Sequence, residues 1–291
     1  MSIFKSEDKV FWLRFASTAS VVTAIMLILV KLVAWVVTDS VSILASLIDS
    51  SLDAMASIIN YGAVSYSLKP ADEDHRFGHG KAESLAGLAQ SMFIMGSALV
   101  LIFHAVGHWR KSMVVEAEWV GISVSIFAIL LTFVLLGIQH IAVKLTGSVA
   151  IKADSLHYRM DVLTNLAVIA ALALTAMGIH QADSLFAIAI AIYMVMSARE
   201  ILVDAINRLM DRELPVYTLT HIESLALAVH GVRGIHQLRT RQSGMIPIIQ
   251  MHVELDKDLT LAQAHAIADN VEAAIQADYP DADITIHQDP V

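Results

Sequence analysis

The 291-residue sequence contains no cysteine. Disulfides and thiolate metal sites are therefore excluded, and any metal ion must be held by His, Asp or Glu. Charge is scarce as well. Only 16% of residues are Asp, Glu, Lys or Arg, against 56% hydrophobic, a balance well outside that of soluble domains. The basic excess that marks nucleic-acid binders is missing, since the formal net charge is −9. No Walker loop, ATPase element or activated nucleophile stands out, so the chain is not expected to be an enzyme. The opening segment MSIFKSEDKVFW carries acidic residues and no small-residue cleavage site, and does not read as a secretory signal.

What fills the sequence instead is long apolar runs. Segments of the roughly 20 residues needed to cross a bilayer recur six times. They lie near 12–37, 41–66, 84–108, 119–142, 148–178 and 183–205. Thr38-Asp39-Ser40 joins the first two and Gly178-Ile179-His180-Gln181 the last two, so each pair is expected to form a tight hairpin. Lys5, Lys9, Arg14, Lys69, Arg76, Lys81, Lys144, Lys152, Arg208 and Arg212 fall on one side of this pattern, and only Arg110 and Lys111 on the other. Such a bias places both termini in the cytoplasm. Lys31, Arg159 and Arg199 fall in or near the apolar runs, where snorkelling to an interface is the simplest reading, above all for Lys31.

From Pro215 the texture becomes that of a small soluble domain. Helix, strand, strand, helix and strand are expected in turn. The two strands meet across a Ser243-Gly244 turn, and Thr260 caps the second helix. This α-β-β-α-β order suggests an antiparallel sheet with helices on one face. The expected fold is thus an all-α six-helix transmembrane bundle over residues 1–211, followed by a cytoplasmic α/β domain over 212–291.

Two pairs of metal-ligand residues interrupt the apolar runs. Asp49 and Asp53 lie in the second run, His157 and Asp161 in the fifth, each pair four residues apart and so on one helix face. A carboxylate at bilayer depth costs roughly 2.5–3.5 kcal/mol, so intramembrane ionisable residues are functional by default. Three carboxylates and an imidazole, two from each helix, suit a tetrahedral dication such as Zn²⁺, with Cd²⁺ or Fe²⁺ also compatible. An empty, fully ionised site would be unstable in a membrane, so protons are expected to replace a departing metal. His157, whose ordinary pKa of about 6.5 lies nearest neutrality, is the expected proton acceptor.

Other clusters are less specific. Asp72, His75 and His79 crowd one short Gly-containing loop, and three such ligands hold a metal weakly. The C-terminal region contains His221, His230, His236, His252, His265 and His287, with Asp289 beside the last. His287 and Asp289, two apart in a strand, share a face. His221 and His230 read as ordinary helix-surface residues. His104 and His108, near Trp109, read as interfacial, and the scattered methionines as packing residues.

DSSLD in the second run, HYRMD in the fifth, the loop DEDHRFGHGKAE and the His-rich α-β-β-α-β region together resemble the cation diffusion facilitator family, in particular its bacterial zinc-transporting branch. The resemblance covers nearly the whole chain. It implies a homodimer in the inner membrane that exchanges cytoplasmic metal for external protons by alternating access, with Asp49, Asp53, His157 and Asp161 as the transport site. It also implies a second zinc site at Asp72, His75 and His79. A binuclear C-terminal site is implied too, with His236 and His252 on one ion, His265 and His287 on the other, and Asp289 bridging. Lys81 and Asp211 are implied to form a charge interlock near the dimer centre. Adjacency and resemblance together make Leu156, next to His157, a candidate gate. The rival reading is a membrane-bound zinc receptor that senses metal without transporting it. A Mn²⁺ carrier is disfavoured by His157.

Overall fold

A computed structural model of the chain describes residues 6–39, 41–108, 119–176 and 182–291. Six helices come first: α1 (Ser6–Thr38), α2 (Val41–Ser67), α3 (Lys81–His108), α4 (Trp119–Thr146), α5 (Val149–Ala176) and α6 (Ala182–Leu209). A small α/β region follows, with α7 (Val216–Leu227), β1 (Gly234–Ser243), β2 (Ile246–Leu255), α8 (Leu261–Asp278) and β3 (Asp283–Pro290). Both halves of the expected fold class are present. The turn at 178–181, together with Arg110, Lys111 and Trp109, lies outside the described residues, as do the side chains of His104 and His108.

The chain divides into two compact units. One is Lys9–Leu68 with Ala82–Ile206, and the other joins the loop Lys69–Lys81 to Asn207–Val291. In the first unit, α1, α3, α4 and α6 contain stretches long and apolar enough to cross a membrane. α2 and α5 carry the polar residues singled out above. Large apolar side chains such as Val33, Val100, Phe103, Leu130 and Met196 are exposed on the four apolar helices, as a lipid-facing surface requires. The first half of α5 is the opposite. Ile151, Ala153, Asp154, Ser155, Leu156, Tyr158 and Met160 are all buried, so this helix is covered on nearly every side. The Glu83 carboxylate accepts the Val149 backbone N–H (2.9 Å) and Ser148 Oγ accepts that of Ile151 (3.1 Å), supplying partners for the free N–H groups of the α5 N-terminus.

Burying the start of α5 also buries polar groups, and these bond to one another. Asp154 Oδ2 accepts from Ser20 Oγ (2.5 Å) and Gln139 Nε2 (2.7 Å), while Tyr158 and Ser57 share a hydrogen bond at 3.0 Å. Helices α1, α2, α4 and α5 are thereby tied together.

In the second unit the strand order is β1-β2-β3. β1 and β2 form the expected hairpin, with Gly244 at φ +59 in the two-residue turn where a left-handed backbone is required. Thr260 caps α8 through a full capping box with Gln263, as the sequence suggests. The expected antiparallel sheet is corrected: β3 runs parallel to β2. The cause is α8, which lies between β2 and β3 in the chain and returns it to the same end of the sheet, as a β-helix-β crossover does. Ile222, Ala226, Ile249, Met251, Val253, Val271 and Ile275 form the core between helices and sheet.

Candidate metal centre

Three clusters of metal-ligand side chains are present among the described residues. Each brings its ligand atoms within 4.8 Å of one another.

The first lies within the helices. His157 Nε2 on α5 is 2.8 Å from Asp53 Oδ1 on α2 and 3.9 Å from Asp161 Oδ2, one turn along its own helix. A candidate ligand from each helix thus meets the other where α2 contacts α5, in addition to the Ser57–Tyr158 hydrogen bond. His157 and Asp53 side chains are largely buried, while Asp161 is 36% exposed, so the cluster has an open side. Asp49 stands apart: it is exposed and lies outside the cluster. Leu156, beside His157, is buried among Ile94, Ala98, Ala198 and Ile201 of α3 and α6.

The second cluster is the loop. Asp72 Oδ1 is 3.3 Å from His75 Nδ1, and Asp72 Oδ2 is 3.3 Å from His79 Nε2. The backbone N–H groups of Asp74 and His75 also donate to Asp72 Oδ1, forming an Asx-type turn. The His75 N–H leads in holding the Asp72 carboxyl below the usual carboxylate range. The loop is fixed at its end as well. Lys81 Nζ lies 2.8 Å from Asp211 Oδ1, and Arg241 of β1 reaches the same oxygen at 3.3 Å. The hydrogen bond from Lys81 is the leading cause of a lowered Asp211 pKa, with Arg241 adding to it.

The third cluster spans the sheet. His236 pairs directly with His252 across β1 and β2, and His252 with His287 across β2 and β3. The rings follow this row, with centroids 5.1 Å and 4.5 Å apart. Asp289 sits among them: Oδ2 is 2.8 Å from His252 Nδ1 and 3.0 Å from His236 Nε2, and Oδ1 is 3.2 Å from His287 Nε2. These histidines, His252 first, hold the Asp289 carboxyl below its ordinary range. One carboxylate thus touches three imidazoles, an arrangement able to bridge two ions. The fourth expected histidine is elsewhere. His265, on α8, is exposed and pairs with Asp269 at 3.7 Å, so the expected His265–His287 pair is not assembled within this chain. His221 and His230 are exposed, with His221 bonded to Asp278 at 2.6 Å.

The structure adds residues that the sequence reading passes over. Glu254 Oε1 lies 3.1 Å from His236 Nδ1, the position from which a carboxylate orients a ligating imidazole. A bulge between His236 and Arg239, with Gln237 at φ +51, re-aims the start of β1 beside the cluster. Asp154, three residues before His157, is visible in the sequence as a helical neighbour but has no ligand partner to mark it. Lys31 does not snorkel. Its ammonium donates to Ser50 Oγ (2.5 Å) and to the Ser46 carbonyl (3.2 Å) on α2.

Family models match both regions of the chain. Residues 17–210 match the cation efflux transmembrane domain, and residues 214–291 the cytoplasmic domain of cation efflux proteins. The chain is 48% identical over 276 residues to the cation-efflux pump FieF of Pectobacterium atrosepticum, covering 95% of this chain and 92% of that protein. It is 47% identical over 281 residues to the FieF pump of Shewanella oneidensis, covering 97% and 95%. A solved MamM CTD aligns at 28% identity with 26% of this chain and 96% of its own length, at a TM-score of 0.25. With both domains matched and near-half identity to efflux pumps along almost its whole length, the chain belongs to the cation efflux, or cation diffusion facilitator, family of transporters.

Proposed function

We propose that this protein is a homodimeric antiporter of the cell inner membrane that exports Zn²⁺, and also Cd²⁺ or Fe²⁺, in exchange for protons. The observation that carries the reading is the meeting of Asp53, His157 and Asp161 between α2 and α5. All six helices cross the bilayer on this reading, with both termini in the cytoplasm. Residues 1–211 form the membrane domain and 212–291 the cytoplasmic one.

The cargo is bound by Asp53, His157 and Asp161, with Asp49 as the fourth ligand once α2 turns it inward. Oxygen and imidazole ligands in this number suit a tetrahedral dication. Three carboxylates and a neutral imidazole carry three negative charges, and a dication leaves only one. When the ion departs, repulsion among the ligands rises, and protons relieve it. His157 receives one at Nε2, and the resulting N–H donates a hydrogen bond to the adjacent Asp53 carboxylate. Binding of metal and of protons is therefore mutually exclusive, which is the minimum requirement of an exchanger. Leu156, packed against α3 and α6, closes one approach to the site, and movement of α5 against those helices opens it in alternation.

The other two clusters are accessory sites. The loop trio Asp72, His75 and His79 holds a second Zn²⁺ weakly. The row of His236, His252 and His287 around Asp289 binds metal in the cytoplasm, stabilising the dimer or reporting the metal level, and Lys81 with Asp211 braces the same region at the dimer centre. The test is Zn²⁺ flux into sealed proteoliposomes. Flux by the wild type and its loss in Asp161→Ala support transport through the α2–α5 site. Zinc binding without flux under any gradient makes the protein a receptor.

A further inference from the structure

Lys31 lies in the apolar C-terminal half of α1 (Ser6–Thr38), where an ammonium is costly unless opposite charge lies near. Its hydrogen bonds go to Ser50 and Ser46 on α2. Ser50 is buried, directly follows Asp49 and lies three residues before Asp53. From this position Lys31 interacts electrostatically with Asp49, Asp53 and Asp161 together. Yet it forms no ion pair with any of the three within 4.0 Å. The ammonium is anchored by uncharged oxygens on the ligand-bearing helix, close to the carboxylates without occupying them.

We propose that Lys31 is a built-in counter-cation of the α2–α5 site, a positioning residue that sets how tightly the site holds its cargo. This inference rests on the transport reading above. The charge balance gives the reason. Three carboxylates and a dication leave one uncompensated negative charge in the membrane, and the fixed ammonium cancels it. In the empty site the same ammonium offsets part of the repulsion among the carboxylates. It lowers the gain from binding a dication and eases the ion's release. Ser50 and the Ser46 carbonyl hold it on α2, so the charge moves with Asp49 and Asp53 when that helix moves.

The test uses the full-length protein in proteoliposomes, with His75→Ala and His252→Ala as background so that the loop and sheet sites do not report. Zn²⁺ alone is the probe. Lys31→Gln removes the charge, and its apparent KM and maximal rate are both expected to fall by at least about tenfold, the direction set by losing one like charge near a dication. Lys31→Arg restores both values. Ser50→Ala keeps the ammonium but removes one anchor, and it shifts both values in the same direction by less. A helix-packing role alone predicts weaker binding or lower expression with no fall in KM. If Lys31→Gln leaves KM unchanged or raises it while the wild type transports, the inference is overturned and the transport reading stands. If the wild type carries no Zn²⁺, the transport reading fails. Equilibrium Zn²⁺ binding then still decides the charge effect, with tighter binding in Lys31→Gln supporting it and unchanged or weaker binding overturning it.

Discussion

Asp53 of α2 and His157 of α5 meet at 2.8 Å although 104 residues separate them in the chain. Each lies in a helix that also carries buried polar residues, Ser50 and Ser57 on α2 and Asp154 and Ser155 on α5, and each brings an i,i±4 companion, Asp49 or Asp161. Only Asp161 joins the cluster. On the proposed transport reading, these three residues form a half-shell for the ion, and Asp49, one turn from Asp53 on the same helix, is the fourth ligand. That reading requires α2 to rotate or shift so that Asp49 reaches the ion, and it thereby ties occupancy of the site to a movement of α2.

Leu156 is the most direct probe of that movement. It is 5% exposed in the cluster shared by α3, α5 and α6. Leu156→Ala removes its packing and is expected to destabilise the protein by about 2–5 kcal/mol. It is also expected to raise water accessibility at the site and to let Zn²⁺ leak without a gradient. Hydroxyl-radical labelling of His157 and passive flux measure both effects. If neither changes, Leu156 is not the gate.

Gly80 gives a prediction from close approach. A Cβ there would lie 2.5 Å from the backbone of Ser243 in the β1–β2 turn, so the loop or the hairpin must shift to admit it. Gly80→Ala is expected to cost about 1–3 kcal/mol and to weaken zinc binding by the loop. Gly62 is the control, since nothing lies within 4 Å of a Cβ built there. Gly62→Ala, inside α2, is expected to be neutral or stabilising. Thermal melts of the two full-length variants test the contrast.

The candidate ligands are legible in the sequence because helical spacing and residue type are local properties, and the family is legible through the resemblance carried by DSSLD, HYRMD and the loop DEDHRFGHGKAE. The four-residue spacings of Asp49/Asp53 and His157/Asp161 state which face carries ligands. They do not state which of the four converge, because that depends on the rotation of α2 against α5. The direction of β3, parallel to β2, is likewise not written locally. Strand order and type are written in the local pattern, but parallel pairing follows from how α8 crosses the sheet. Lys31 gave no sequence signal of its role: its partners Ser46 and Ser50 are ordinary small residues until α1 and α2 are packed. Glu254 was passed over because its link to His236 exists only through strand pairing.

Asp211 supplies a pH prediction outside the membrane. Its carboxyl is held low by Lys81 and Arg241, so the ionised form is the one favoured by folding. The stability from this contact is fully present above the ordinary carboxylate pKa of about 3.9 and is lost as pH falls through the lower folded value. The partly exposed pair contributes about 1 kcal/mol or less. Asp211→Asn should therefore melt slightly below wild type from neutral pH down to about 5, with the gap closing as pH drops below about 4. A gap that widens on acidification contradicts the assignment. High salt should narrow it at every pH.

The central claim is that metal and protons compete for the ligands where α2 meets α5. Its most direct test is simultaneous measurement of Zn²⁺ and proton flux across sealed proteoliposomes containing wild type or Asp53→Ala, under an imposed pH gradient. The account predicts that wild type moves Zn²⁺ and protons in opposite directions, that each flux drives the other, and that both vanish in Asp53→Ala. Zn²⁺ flux that persists in the variant, or that runs in wild type with no proton counterflow, would contradict it.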